Sequence, residues 1–278
     1  MPLKLMYITN NPGVASIAEK SGVDRIFVDM EFIGKAARQT GMDSVQNHHS
    51  IEDVRAVRAV VSHSDLLVRV NPVHNRLTDY PSSEEEIESV IDAGADIIML
   101  PYFKTIDEIR RFISIVDGRV RTMLLLETKE ANVLIDQILE MEGIDEIHIG
   151  LNDLALSYDK KFLFELLTDG TVERLCRKMQ CAGMFYGFGG IASIGRGRVP
   201  AEMIIREHYR LGSRMAILSR SFCNINRIED LEAVEEIFFH GMNEIRTFEK
   251  ECQHYLQYFT GNKEKLDAAV RNVVSQID

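Results

Sequence analysis

Short, near-continuous runs of apolar residues alternate, along almost the whole chain, with longer stretches in which apolar positions recur every three to four residues. The first kind reads as strand buried on both faces, the second as amphipathic helix. LKLMYIT (3–9) predicts a strand, and Pro12 suits the first turn of a helix over 12–21. RIFVDM (25–30) predicts the second strand, followed by a long, polar, Gly-containing connection over 32–50 and a helix over 51–61. LLVRV (66–70) is the third, and Ser83 with Glu86 predicts a capping box for a helix ending at Gly94. DIIML (96–100) is the fourth, with Thr105 and Glu108 capping the next helix. RTMLLL (121–126) is the fifth, followed by a helix over 130–141. The sixth covers 146–149, with helical stretches between 159 and 182. A short seventh covers 184–186 with a helix over 201–211, and RMAIL (214–218) is the eighth.

Eight strand-plus-helix units predict a (β/α)8 TIM barrel, because parallel strands covered by helices are apolar throughout. An open doubly wound sheet is the competing fold. Over 229–259 and 263–277 the pattern is amphipathic helix with no strand. The expected organisation is therefore a barrel over 1–225 carrying the active site, and a helical C-terminal extension over 226–278. That extension would pack on the barrel or on a neighbouring subunit, and a homo-oligomer is the expected assembly.

Charge narrows the partners. Acidic residues outnumber basic ones 43 to 32, a net charge of -11 over 278 residues. Nucleic acid and anionic membrane both need a basic face, so neither is expected. Cys176, Cys181, Cys223 and Cys252 form no CxxC pair and no zinc-ligand pattern, which fits thiols in a reducing compartment. The N-terminal apolar run stops at Asn-Asn-Pro-Gly and lacks a signal peptide's longer apolar region and cleavage site. No apolar run approaches the roughly 20 residues of a membrane span. A cytoplasmic protein is the expectation.

In a barrel the chemistry sits at the C-terminal strand ends, which turns polar residues there into candidates. They are Asp29 and Glu31 after strand 2, Arg69 in strand 3, Pro101 after strand 4, Glu127 after strand 5, and Asn152 and Asp153 after strand 6. Asp29 could equally cap or bridge to a neighbouring strand. A guanidinium within LVRV needs anions around it. A carboxylate ending MLLLE is costly unless paired or metal-bound. One carboxylate from each of two adjacent strand ends, with waters and a chelating substrate, would make an oxygen site suited to Mg²⁺ or Mn²⁺.

SGVDRIFVDMEF, LLVRVNP, DAGADIIMLPYF, MLLLET and EGIDEIHIGLNDLA, in order over residues 21–155, make the chain resemble the HpcH/HpaI aldolase and citrate lyase family, a phosphoenolpyruvate/pyruvate-type barrel. The resemblance implies that Glu127 and Asp153 ligate a divalent metal, Mg²⁺ or Mn²⁺. It implies that Arg69 contacts the keto or enolate oxygen of a pyruvate-like substrate. Backbone N–H groups from Gly150 through Leu151 and Asn152 to Asp153 would cradle the substrate carboxylate. The metal would act as Lewis acid, with Arg69 adding fixed charge where negative charge develops.

Two departures stand out. Phe32 occupies the place of the family's acid–base histidine, and Leu151 and Asn152 replace the usual Pro-Ser. His48 and His49, in the long loop after strand 2, could supply a displaced base, since only they in that loop titrate near neutrality. The plainer reading of the pair is a surface feature ahead of a helix N-cap. YGFGGIA mimics a dinucleotide fingerprint, but it follows the seventh strand and Glu207 falls inside a helix, so that reading is rejected. Glycine-rich backbone after strands 7 and 8 is where barrels often bind phosphate, and Arg196, Arg198, Ser219 and Arg220 make an anion site there conceivable. A mobile basic surface loop is the alternative.

The expected activity is that of a metal-dependent carbon–carbon lyase acting through the enolate of a 2-oxo acid. Two alternatives stay open: a citrate-lyase-like enzyme on acyl-CoA thioesters, and a ligand-binding barrel without turnover, serving as sensor or scaffold.

Overall fold

Strands that are apolar over most of their length have no solvent face, and here both faces are used. The computed structural model describes residues 1–35, 49–225, 228, 230–254 and 258–277. Its strand segments are β1 (Lys4–Ile8), β2 (Arg25–Asp29), β3 (Asp65–Arg69), β4 (Ile97–Leu100), β5 (Arg121–Leu126), β6 (Glu146–Ile149), β7 (Phe185–Phe188), β8 (Gly190–Ile191) and β9 (Met215–Leu218). All pair in parallel, in the order β7-β6-β5-β4-β3-β2-β1-β9-β8. The two ends of that order are consecutive in the chain. Gly189, between β7 and β8, donates its N–H to Ile149 O on one side and accepts from Ile217 N–H on the other. One bent strand thus closes an eight-stranded α/β barrel, longer than the 184–186 strand expected.

Gly187 makes that closure possible. A Cβ there would stand 2.1 Å from the Met215 carbonyl oxygen, so no larger residue lets β7 approach β9. Alternating residues fill the barrel interior, among them Met6, Phe27, Leu67, Met99, Met123 and Leu125. Their neighbours in sequence, such as Ile26, Val28, Leu66, Val68 and Leu124, face outward into the larger core shared with the helices. The N-terminal mouth is plugged by charge. Arg25 forks onto Glu146 (2.5 and 2.7 Å), while Arg121 bonds Asp65 at 2.7 Å and lies 3.5 Å from Glu146. Desolvated charges need such partners, and here each has one.

The expected helices form, with local shifts. Ser82, one residue earlier than expected, is the N-cap of helix Ser83–Asp92, and Glu85 reaches back to its N–H at 2.9 Å. The reason is that the other two side chains are engaged elsewhere: Ser83 Oγ accepts from His74 N–H, and Glu86 is buried against Asn71. The helix expected over 130–141 is two short ones, Lys129–Val133 and Ile135–Leu139, meeting at Leu134. After β6 an unforeseen helix, Leu151–Ser157, precedes Glu165–Thr168 and Thr171–Cys181.

Two C-terminal helices, Leu231–His254 and Tyr258–Val274, lie against the barrel's own helices Pro12–Lys20, Ala201–Arg210 and Glu165–Thr168. Polar anchors join them to the barrel. Arg246 donates to Leu3 O and Asp24, Glu249 accepts from Leu3 N–H, and Asn262 donates to Glu207. None of the described helices is long and apolar enough to cross a membrane.

Candidate active site

Strand register decides which side chains crown the barrel interior. Asp29 and Arg69 face each other across β2 and β3, where they are paired residues. Arg69 forks onto Asp29 through Nε and Nη2, both at 2.7 Å, and its Nη1 lies 3.3 Å from Glu31. The planar guanidinium matches a carboxylate edge to edge, and it also lies over the Phe27 ring, 5.6 Å from the centroid. Burial alone would push the Asp29 carboxyl up. The Arg69 and Lys35 charges overcome it and hold Asp29 well below the usual carboxylate range. Burial works equally against the Arg69 charge, and Asp29, Glu31 and Glu127 more than restore it.

The residues just after β2 are fixed from beyond β3. Asn71 Oδ1 accepts from Phe32 N–H and Ile33 N–H, both at 2.9 Å, while its amide donates to Met30 O, Tyr80 and Glu86. That clamp, together with the turn at Gly34 (φ +74°), brings Lys35 back over the strand end. Lys35 Nζ lies 2.9 Å from Asp29 and 3.4 Å from Glu31.

Glu127, the residue after β5, is buried and accepts the Tyr102 N–H at 2.9 Å. Tyr102, directly after Pro101, holds a left-handed φ of +49° to make that contact. Gly150 lets the carboxylate lie against the neighbouring strand end, since a Cβ there would sit 2.9 Å from Glu127 Oε2. Asp153 is buried in the first turn of helix Leu151–Ser157, where a carboxylate suits the helix dipole.

Asp29, Lys35, His49, Arg69, Glu127 and Asp153 line one pocket of about 510 Å³ at the C-terminal strand ends. Gly150, Leu151 and Asn152 line it too, as do Ser219 and Arg220 after β9. Glu31 lies behind Arg69, fully buried, as its countercharge. Pro101 is not among the lining residues and enters only through Tyr102. Arg196 and Arg198 are exposed and outside the pocket, so the structure does not bring them to the other candidates. Phe32 is partly exposed and packs edge-on against Tyr80, 4.8 Å between centroids.

His48 lies outside the described residues. His49 is in the pocket, and its Nδ1 accepts the Asp29 backbone N–H at 3.0 Å. Burial first, then the Lys35 and Arg69 charges, favour its neutral form against the pull of Asp29 and Asp53.

Lys35, Asn71 and His148 were not anticipated. Lys35 is hidden by an unremarkable turn, and Asn71 only hinted at itself in VRVNP. His148 sits mid-strand in β6, fully buried at the pocket's edge, and among the described residues neither ring nitrogen meets a side-chain hydrogen-bond partner. Burial drives its pKa down to about 3, against a weaker pull from the nearby Gly189 backbone. Its signal in the sequence was a lone histidine in the otherwise apolar run IHIG.

Glu127 and Asp153 offer hard carboxylate oxygens, and Gly150 leaves the space in which Glu127 lies. No group of three His, Cys, Asp or Glu that could hold a metal ion occurs among the described residues. Two carboxylates alone would suit only an ion that takes oxygen ligands and fills its shell from water and substrate, as Mg²⁺ and Mn²⁺ do.

Comparison with known proteins agrees with the architecture. The family model described as HpcH/HpaI aldolase/citrate lyase matches residues 4–162. No protein of curated function matches the chain in sequence. An HpcH/HpaI aldolase/citrate lyase family protein from Burkholderia cenocepacia superposes with a TM-score of 0.61 at 17% identity, covering 85% of this chain and 94% of that one. An HpcH/HpaI aldolase from Desulfitobacterium hafniense gives 0.59 at 16% identity, covering 88% and 93%. Macrophomate synthase gives 0.54 at 15% identity, covering 77% and 76%. At such identities the superpositions speak for the shared fold.

Proposed function

The chain belongs to the HpcH/HpaI aldolase/citrate lyase family, a family of aldolase-type lyases, and on that premise we propose that it makes or breaks a carbon–carbon bond next to the carbonyl of a 2-oxo acid, through a pyruvate-like enolate. The observation that carries this reading is the convergence of Glu127, Asp153 and Arg69 on one pocket at the strand ends. Glu127 and Asp153 would hold a Mg²⁺ or Mn²⁺ ion, which when bound supplies Lewis-acid polarisation of the 2-oxo group. The chain's own residues do the rest.

Arg69 is held in place before substrate arrives, because Asp29 occupies one edge of its guanidinium and Glu31 lies behind it. The fork cannot swing away, so its remaining edge presents fixed positive charge where the enolate oxygen gains negative charge. Preorganised donors of this kind stabilise a transition state without reorganisation at the moment of reaction. Tyr102 N–H keeps Glu127 aimed at the pocket; the Gly150 N–H, expected in the carboxylate cradle, is given to Leu126 O, so the N–H groups from Leu151 to Asp153 would receive the substrate carboxylate. The apolar interior beneath, Phe27, Met99 and Leu125, limits water around the reacting carbon.

The test is isotopic. Purified protein loaded with Mn²⁺ and incubated with pyruvate in D₂O should wash deuterium into the methyl group, and chelation should stop it. No exchange in the presence of metal would sink the enolate reading and favour a binding barrel. Parallel incubation with acyl-CoA thioesters separates the citrate-lyase-like alternative, for which the outlying Arg196 and Arg198 offer no support in this pocket.

A further inference from the structure

Phe32 leaves the pocket without a histidine at the place where proton transfer would be expected, and two neighbours of Asp29 have no part yet in the reading above. Lys35 brings an ammonium group to the pocket, buried and 2.9 Å from Asp29 Oδ2. His49 brings an imidazole whose Nδ1 is already committed to the Asp29 backbone N–H. That second contact settles the ring's chemistry. A backbone amide can only donate, so Nδ1 must carry its lone pair, and the proton of the neutral ring is on Nε2. Adding a second proton at Nδ1 would set N–H against N–H at 3.0 Å. Burial acts most strongly against a second proton, Lys35 and Arg69 act in the same sense, and Asp29 and Asp53 oppose them. His49 is therefore built to give a hydrogen bond and not to accept a proton.

Resting on the enolate reading, we infer that Asp29 organises a divided acid–base pair: Lys35 Nζ delivers the proton to the oxygen formed on the acceptor carbonyl, and His49 holds that oxygen with an Nε2–H that it never releases. In the bond-forming direction the enolate's electron pair makes the new carbon–carbon bond. The acceptor's carbonyl π pair moves onto its oxygen, and that oxygen takes a proton from Lys35. The Lys35 amine recovers a proton from water, and cleavage is the same sequence reversed. An alkoxide is far more basic than an amine, so the transfer runs downhill once the bond has formed. Asp29 serves both partners at once, its carboxylate holding Lys35 and its backbone N–H fixing the His49 tautomer.

The experiment compares Lys35→Arg, His49→Gln and His49→Ala in the Mn²⁺-loaded protein, with pyruvate and small aldehydes such as glycolaldehyde as acceptors. Lys35→Arg keeps the charge against Asp29 and Glu31 but cannot give up a proton. It should lose about 10²-fold or more in turnover, the span of acid–base contributions, with Mn²⁺ affinity unchanged. Glutamine carries an amide N–H at the reach of Nε2. His49→Gln should stay within about tenfold of wild type and His49→Ala should fall about 10²-fold, the loss of one fixed donor.

Wild-type turnover in Lys35→Arg would reduce Lys35 to a counter-ion and overturn the proposal. So would a His49→Gln as slow as His49→Ala with the neutral limb of the pH–rate profile gone, because His49 would then be a base. If Lys35→Arg misfolds, Lys35→Gln must show the same selective loss of turnover. A wild-type protein that exchanges no deuterium into pyruvate overturns the enolate reading itself, and is told apart from these outcomes because it needs no variant.

Discussion

Arg69 shows how much of a residue's role is set by what it touches. Its Nε and Nη2 are fixed on Asp29, so a lysine cannot reproduce both the pairing and the edge left for substrate. Arg69→Lys is expected to lower turnover by roughly 10²–10³-fold while Mn²⁺ binding is kept. Steady-state kinetics beside a Mn²⁺ titration separates the two, and collapse of the fold would mark Arg69 as structural. Glu127 and Asp153 make the complementary case. Two anionic ligands offset a divalent charge, and removing either leaves too few protein oxygens to compete with hydration. Glu127→Gln and Asp153→Asn should each abolish Mn²⁺ binding by calorimetry with the circular dichroism spectrum intact. Undiminished affinity in both would falsify the site.

At the scale of elements, two glycines determine whether strands can meet. A methyl group at Gly187 would collide with the Met215 backbone, which no side-chain rotation relieves. Gly187→Ala is therefore expected to cost about 3 kcal/mol or more, at the upper end of overpacking changes, measured as a lowered urea midpoint. Gly150 carries a different load. Its Cβ would stand 2.9 Å from both Oε2 and Cβ of Glu127; the carboxylate can turn aside at the expense of its aim, while relief at Cβ takes a small backbone shift. Gly150→Ala should cost less stability than Gly187→Ala and lose Mn²⁺ affinity out of proportion, so thermal melting and metal titration dissociate. Equal loss of both would show the strand end, not the carboxylate, to be what yields.

The whole molecule responds to acid through its buried histidines. His148 and His208 are fully buried, and burial pushes each pKa down to about 3, with His148 further lowering His208. In the unfolded chain each titrates near 6.5. A lowered folded-state value means that the unfolded chain binds more protons between those limits. The stability these groups contribute is therefore present above about pH 6.5 and lost as pH falls toward 3. Each histidine steepens the loss by up to about 1.4 kcal/mol per pH unit within that window. Asp29, held low by Arg69 and Lys35, adds its own loss only below about pH 4. His148→Phe removes the buried imidazole and keeps an aromatic ring in its place. It is expected to flatten the decline between pH 7 and 5, followed by urea denaturation, and an unchanged slope would disprove it.

Apolar patterning alone determined the barrel and most of its strands, because a parallel strand packed on both faces has few polar positions to spare. The same pattern singled out Glu127 and Asp153 as candidates, since a carboxylate just beyond such a strand is costly unless it has a partner. What it could not carry was pairing across the barrel. The plug of Arg25, Arg121, Asp65 and Glu146 joins residues up to 121 positions apart, and strand register, not local spacing, sets which charges meet. Lys35 enters the site only because the residues just after β2, held by Asn71 from beyond β3, turn back over the strand end. His49's tautomer was decided by a single backbone N–H. Periodicity records which way a side chain faces; only the tertiary structure decides what it meets there.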